Sequence, residues 1–114
     1  NWMPADALLD LPASKYRWLL GMAKHAGIQL MRAWGGGLIE TDEFYQQCDS
    51  LGILVWQDFP TWHQDTPDRP QDIWEAQVLE NVFRLRNHPS LALYCGGNGF
   101  NPYSPGSATT MAVL

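Results

Sequence analysis

Apolar residues recur at helical spacing three times along the chain, and each time the pattern gives way to a short continuous apolar run. From about Ser14 to Ala26, the positions Tyr16, Leu19, Leu20, Ala23 and Ala26 follow the period of an amphipathic helix, and Gly27 supplies its stop. Residues 28–34 then read as a buried strand that runs into Gly35-Gly36-Gly37. The cycle restarts at Thr41, a suitable N-cap, with Asp42 and Glu43 in the first turn, where the helix dipole favours negative charge. Phe44, Tyr45, Cys48 and Leu51 form the inward stripe, Gly52 stops this helix, and residues 53–58 read as a second buried strand. The junctions Ala26-Gly27-Ile28-Gln29-Leu30 and Leu51-Gly52-Ile53-Leu54-Val55 lie 25 residues apart, the spacing of one strand-helix unit. A Pro-rich loop is expected from Phe59 to Gln71. Asp72 with Glu75 three residues later gives the reciprocal capping pattern that opens a third helix, whose apolar face carries Trp74, Val78, Leu79, Val82 and Phe83. Asn87-His88-Pro89 ends it, because proline disfavours helix in the residue before it, and residues 90–95 form the next strand. Beyond Cys95 regular patterning fades.

Continuous apolar strands alternating with helices imply parallel pairing, since strands covered by helices need not alternate polar and apolar residues. With residues 1–4 as the tail of an earlier strand, the tally is about four strands and three helices, close to half of an eight-stranded barrel of about 250 residues. The expected fold class is therefore α/β: a parallel (β/α) barrel fragment, about the first half, occupying residues 1–114 and cut at both ends. A complete small doubly wound domain is the alternative.

Composition narrows the partners. At 114 residues, with 46% hydrophobic and 17% charged residues, the chain has the balance of a folded domain. No apolar stretch approaches the roughly 18 residues of a membrane span. The net charge of -5 argues against nucleic acid and anionic membrane as partners. Cys48 and Cys95 sit inside apolar patterns and read as buried free thiols. Gly35-Gly36-Gly37 holds no Lys, Ser or Thr and runs into Glu40, Asp42 and Glu43, which would repel a phosphate, so it reads as a turn that lets backbone pass near a pocket. His25 and His88 read as capping or surface residues. His63, beside Trp62 and near Asp65, reads as loop structure, because a metal site needs more ligands than His-x-Asp provides. Neither a cofactor nor a metal is called for.

In parallel α/β architectures chemistry gathers at the C-terminal ends of the strands. There the chain offers Asn1, Trp2 and Asp6, then Arg32 and Trp34, then Trp56, Gln57 and Asp58, then Asn98. Arg32 and Asp58 are compatible with a buried ion pair and with ligand contact alike. Trp2, Trp34, Trp56 and Trp62 fall at strand ends or adjoining loops, where flat rings with one polar atom suit stacking on a sugar, and Trp56 suits the core as well. Trp18 and Trp74 lie in helical stripes and are expected in the core.

Asn1-Trp2-Met3-Pro4-Ala5-Asp6, Met31-Arg32-Ala33-Trp34-Gly35-Gly36-Gly37, Gly52-Ile53-Leu54-Val55-Trp56-Gln57-Asp58-Phe59, Arg86-Asn87-His88-Pro89-Ser90 and Cys95-Gly96-Gly97-Asn98, in this order, closely resemble the catalytic barrel of glycoside hydrolase family 2, and within it the β-mannosidase branch. The resemblance implies a retaining exo-glycosidase that removes a β-linked sugar, mannose foremost, from a β-linked oligosaccharide or glycoside, working together with the remainder of the parent barrel. It implies that Arg32, Trp34 and Asp58 line the subsite for that sugar, that Asn98 bonds its 2-hydroxyl, and that Trp2 and Trp62 belong to substrate loops. The family follows that asparagine with the acid/base glutamate, and here the residue is Gly99. The nucleophilic glutamate of the family lies on a later strand, beyond Leu114. An exo-β-glucosaminidase or another β-glycosidase of the family is the alternative within the class; a non-catalytic sugar-binding protein is the alternative outside it.

Overall fold

The computed structural model describes residues 1–3, 11–64, 70–101, 103, 104, 108 and 112. Helix α1 spans Ala13–His25, strand β1 Leu30–Ala33, helix α2 Asp42–Leu51, strand β2 Leu54–Asp58, strand β3 Trp62–Gln64, helix α3 Gln71–Leu85, strand β4 Leu91–Cys95 and strand β5 Asn98–Phe100.

The 25-residue repeat is a repeat of one helix stop. After α1 the Gly27 amide donates to the Lys24 carbonyl at 3.0 Å and the Ile28 amide to Ala23 at 3.0 Å; after α2 the Gly52 amide donates to Asp49 at 3.4 Å and the Ile53 amide to Cys48 at 3.0 Å. Both glycines have positive φ, 84° and 64°, which this cap requires and which costs other L-residues energy. Each stop turns the chain directly toward the next strand. At the other ends, Thr41 is the N-cap of α2 as expected, without a side-chain cap bond. Helix α3 starts earlier than expected. Its N-cap is Pro70, so Asp72 lies in the first turn, where it meets the helix dipole instead of capping.

Strands β1, β2 and β4 form one sheet in that order, with both pairings parallel. Trp2 adds a parallel bridge to Ala33, in keeping with an earlier strand beside β1. Strand order follows chain order and a helix lies between successive partners, so the architecture is a partial (β/α) barrel. The core lies where α1 and α2 meet the sheet, with Tyr16, Leu20, Phe44, Tyr45, Cys48, Ile53, Val55 and Leu85 all buried. Burial raises the Cys48 thiol pKa to about 12, so this thiol is an inert packing group. The opposite sheet face differs. Register and the two-residue period put Leu30, Leu54, Trp56 and Leu93 on one side, and the three leucines are open to solvent.

Two expectations fail here. The segment after Phe59 and the one after Cys95 hold β3 and β5, which pair in parallel with Trp62 opposite Asn98. Trp18 is 60% exposed. It stands two residues from both Tyr16 and Leu20, about 200° around the helix from each, so it faces away from the core they enter. Trp74 is half-buried, its ring edge-on to Phe59 at 6.5 Å. Among the described residues no helix is long and apolar enough to cross a membrane.

His25 is exposed at the end of α1, but His88 has a structural partner. Its Nδ1 lies 2.6 Å from Asp49 Oδ2, and the Ser90 amide donates to Asp49 Oδ1 at 2.9 Å, which fastens the end of α2 to the turn between α3 and β4. Burial pushes the Asp49 pKa up, but the bonds from His88 and Ser90 outweigh it and hold the carboxyl below its ordinary value. A carboxyl depressed on folding contributes stability that is complete above its unfolded pKa and disappears as pH falls through the folded one. Asp49→Ala is expected to cost about 1.5–3 kcal/mol at neutral pH and to flatten the acid limb of the stability profile, as read by urea unfolding between neutral pH and pH about 3. An unchanged acid limb would remove Asp49 from this role.

Candidate functional site

The ends of β1 and β2 carry a closed polar cluster. Asp58 ends β2 with its side chain fully buried. Its two oxygens accept Arg32 Nε at 3.1 and 2.9 Å, Arg32 Nη2 approaches Oδ2 at 2.7 Å, and the Gly35 amide donates to Oδ2 at 3.0 Å. The ion pair left open by the sequence is therefore formed. It is charge-assisted and multiply bonded, the strong form of the interaction. The Arg32 side chain keeps 26% exposure, and its guanidinium lies 5.0 Å from the centre of the Trp56 ring. Hydrogen bonding to Asp58 raises its pKa above the ordinary arginine value.

Arg32 Nη2 also donates to Asn98 Oδ1 at 3.2 Å. A guanidinium has donors only, so the acceptor end of the carboxamide must face it, which leaves Nδ2 on the far side as a donor. The Asn98 backbone is fixed independently, its amide donating to the Thr61 carbonyl at 2.9 Å while Thr61 Oγ1 donates to Gly96 at 2.7 Å. The unforeseen β3–β5 pair is thus what holds Asn98 against Arg32.

The glycine run has a steric cause. A Cβ on Gly35 would lie 2.6 Å from the Phe59 carbonyl oxygen and 3.3 Å from the Asn98 amide; one on Gly36 would lie 2.3 Å from the Trp34 indole. The loop therefore lies against the end of β2 and against the half-buried Trp34 ring, an approach open only to residues without a side chain. Gly99 follows Asn98 with φ +68°, and among the described residues nothing lies within 4 Å of where its Cβ would be. Glycine has no side chain with which to move a proton.

Arg32, Asp58 and Asn98 thus converge through direct bonds, Gly99 follows Asn98 in the chain, and Trp34 immediately precedes Gly35, whose amide bonds to Asp58, with its ring against Gly36. Trp2 does not join them. Its indole is buried at 5.0 Å from the Phe44 ring and 6.2 Å from the Tyr16 ring, and Nε1 donates to Glu40 Oε1 at 2.7 Å, so the expectation of a substrate loop is corrected to a core role. The bridge to Ala33 explains this: Ala33 faces the helices, and its partner faces the same way. The side chains of Trp62 and His63, and Asp6 and Asp65 altogether, lie outside the described residues. Sequence reasoning missed the role of Glu40, a carboxylate only 4% exposed. Gln57, expected among the strand-end candidates, is buried: it accepts Tyr45 OH at 2.5 Å and donates to the Asp58 carbonyl at 2.8 Å. Among the described residues no group of three or more His, Cys, Asp or Glu could hold a metal ion.

No family model matches the chain. A β-mannosidase B of Aspergillus flavus is 49% identical over 107 residues, covering 85% of this chain and 12% of that protein. The crystal structure of a β-D-mannosidase from Dictyoglomus thermophilum superposes with a TM-score of 0.79 at 44% identity, covering 86% of this chain and 12% of that one. A β-glucuronidase of Bacteroides uniformis, 24% identical with a TM-score of 0.64 over 74% of this chain and 11% of its own, shares the fold. The chain spans 12% of the length of the curated relatives it matches. Parallel strands in barrel order, the Arg-x-Trp-Gly-Gly-Gly loop folded onto the end of β2, and this level of identity lead to one assignment: the chain belongs to glycoside hydrolase family 2, as a β-mannosidase-like segment of its catalytic barrel.

Proposed function

We propose that the protein carrying this segment is a retaining exo-β-mannosidase-like glycosidase, and that Arg32, Trp34, Asp58 and Asn98 form one wall of the subsite for the non-reducing sugar. The observation that carries this reading is the cluster in which Asp58 pairs with Arg32 and Arg32 orients Asn98. With its oxygen turned to Arg32, Asn98 presents Nδ2 as a donor suited to a sugar hydroxyl, a contact that gains strength as charge develops at the neighbouring carbon. Trp34 offers an aromatic face for the apolar side of the ring, as in many sugar sites.

Retaining hydrolysis uses two carboxyl groups about 5–5.5 Å apart, one donating a proton to the leaving oxygen and one attacking the anomeric carbon. In the family pattern the donor follows the asparagine, where this chain has Gly99. The segment therefore supplies binding and orientation without the acid. A second reading, a sugar-binding protein without turnover, draws support from the left-handed backbone at Gly99, a conformation suited to glycine and strained for glutamate.

Titration calorimetry of the full-length protein with mannose and mannobiose tests the wall. Binding is expected, and Trp34→Ala is expected to weaken it about tenfold, equivalent to about 1.4 kcal/mol. Affinity unchanged by that substitution overturns the stacking role. Turnover of an aryl β-mannoside by the same preparation separates the two readings.

A further inference from the structure

Among the described residues Glu40 is the most buried carboxylate outside the polar cluster, and the proposed chemistry makes no use of it. Its Oε1 accepts the Trp2 indole at 2.7 Å, and its Oε2 accepts Tyr16 OH at 2.5 Å and the Thr41 amide at 3.3 Å. Its own carbonyl accepts Arg84 Nη2 at 2.8 Å, and Arg84 Nη1 reaches Asp42 at 2.7 Å. One residue thus joins the N-terminal segment, α1, the start of α2 and the end of α3. A carboxylate removed from water is costly unless donors saturate it, and a leucine would fill similar space at no such cost. Burial, followed by the bond to Glu40, raises the Tyr16 pKa to about 12, so that hydroxyl remains a donor at physiological pH.

What the carboxylate adds over an apolar side chain is orientation of Trp2. Ring packing against Phe44 and Tyr16 does not by itself select which way the indole is turned about χ2, whereas a bond at Nε1 selects the turn that brings the N–H to Glu40. The backbone of Trp2 is tied to β1 on both sides of Ala33: its amide donates to the Arg32 carbonyl at 2.6 Å, and the Trp34 amide donates to its carbonyl at 3.2 Å. Those two residues are the ones whose side chains belong to the proposed sugar wall.

We infer that Glu40 is a positioning residue for that wall, acting through the Trp2 indole to fix the end of β1 and with it Arg32 and Trp34. The inference rests on the sugar-site reading for its effect on binding, but not for its effect on Trp34 itself. The test uses the full-length protein with 15N-labelled indoles, assigned by single Trp→Phe substitutions, and mannose as ligand. Glu40→Gln keeps an acceptor for Trp2 and turns a donor to Tyr16 OH, which can accept it; it gives up only the long bond from the Thr41 amide, so affinity within twofold of the parent and an unmoved Trp34 indole signal are expected. Glu40→Leu is expected to shift the Trp34 signal and weaken binding about tenfold. Trp2→Phe keeps a ring but loses the donor, so it should reproduce both effects, and the double variant should be no worse than either single one. Tyr16→Phe removes a different donor and should leave the Trp34 signal in place. A well-folded Trp2→Phe protein with unchanged Trp34 signal overturns the inference, as do losses that simply add; if Glu40→Leu fails to fold, Trp2→Phe and Glu40→Gln carry the test. Parent protein that binds no mannose overturns the sugar reading alone, because the Trp34 signal still reports on Glu40.

Discussion

Gly99→Glu in the full-length protein is expected to raise hydrolysis of an aryl β-mannoside about a hundredfold, and of mannobiose, whose leaving group needs a proton more, by up to about 10⁴-fold. Two opposing terms decide the sign. The backbone at Gly99 is left-handed, which costs a glutamate about 1–2 kcal/mol if β5 does not relax. Two decades of rate correspond to about 2.7 kcal/mol of barrier, and four decades to twice that. Among the described residues nothing lies within 4 Å of the new Cβ. Gly99→Gln carries the same backbone strain without a transferable proton and should gain nothing. Initial rates across pH provide the check: an acidic and a basic limb should emerge together with the activity. Equal rates for the Glu and Gln variants would end the assignment of position 99 to the acid.

Removing Asp58 should do the greatest damage to stability. Breaking a buried pair by deleting one partner typically costs about 3–5 kcal/mol, because the other charge is left uncompensated. Arg32 keeps 26% exposure, so the lower end of that range, about 3 kcal/mol, is the expected loss for Asp58→Ala. The Gly35 amide would also lose its acceptor, and with it the tether of the glycine loop to β2. Arg32→Ala/Asp58→Ala together should cost clearly less than the two singles summed, since the double variant leaves no orphaned charge. Denaturant unfolding of the full-length protein reads this directly. A loss below about 1 kcal/mol for Asp58→Ala would show that water takes over the role of the carboxylate.

Much of the architecture is written in local signals. The helix stops need only glycine at the right phase, and the parallel arrangement follows from unbroken apolar strands between helices, so both are legible without knowing what packs on what. The expectations that fail depend on pairing across distance. Strands β3 and β5 are three residues each, too short for any period, and exist through the register of Trp62 with Asn98. Trp18 shows that apolar character without angle misleads, because its position around α1 is opposite to that of Tyr16 and Leu20. At the site, Arg32, Asp58 and Asn98 stand out as polar groups at strand ends, but only the parallel register brings them within bonding distance. Glu40 reads as one more acidic residue near a helix start until Trp2 and Tyr16, distant in sequence, are seen to meet it.

The open face of the sheet separates two properties along a single strand. On β2, Leu54 and Asp58 lie on the same face about 13 Å apart at about 3.3 Å per residue, one apolar and solvent-facing, the other locked into the charged cluster. In a (β/α) barrel this face is the interior, filled by layers of strand side chains. Leu30, Leu54 and Leu93 therefore belong to the packing layers of the barrel, and Arg32 and Asp58 to its mouth. Substitutions along one strand then act on different properties, those near its start on how well the barrel closes and those at its end on what the mouth can bind.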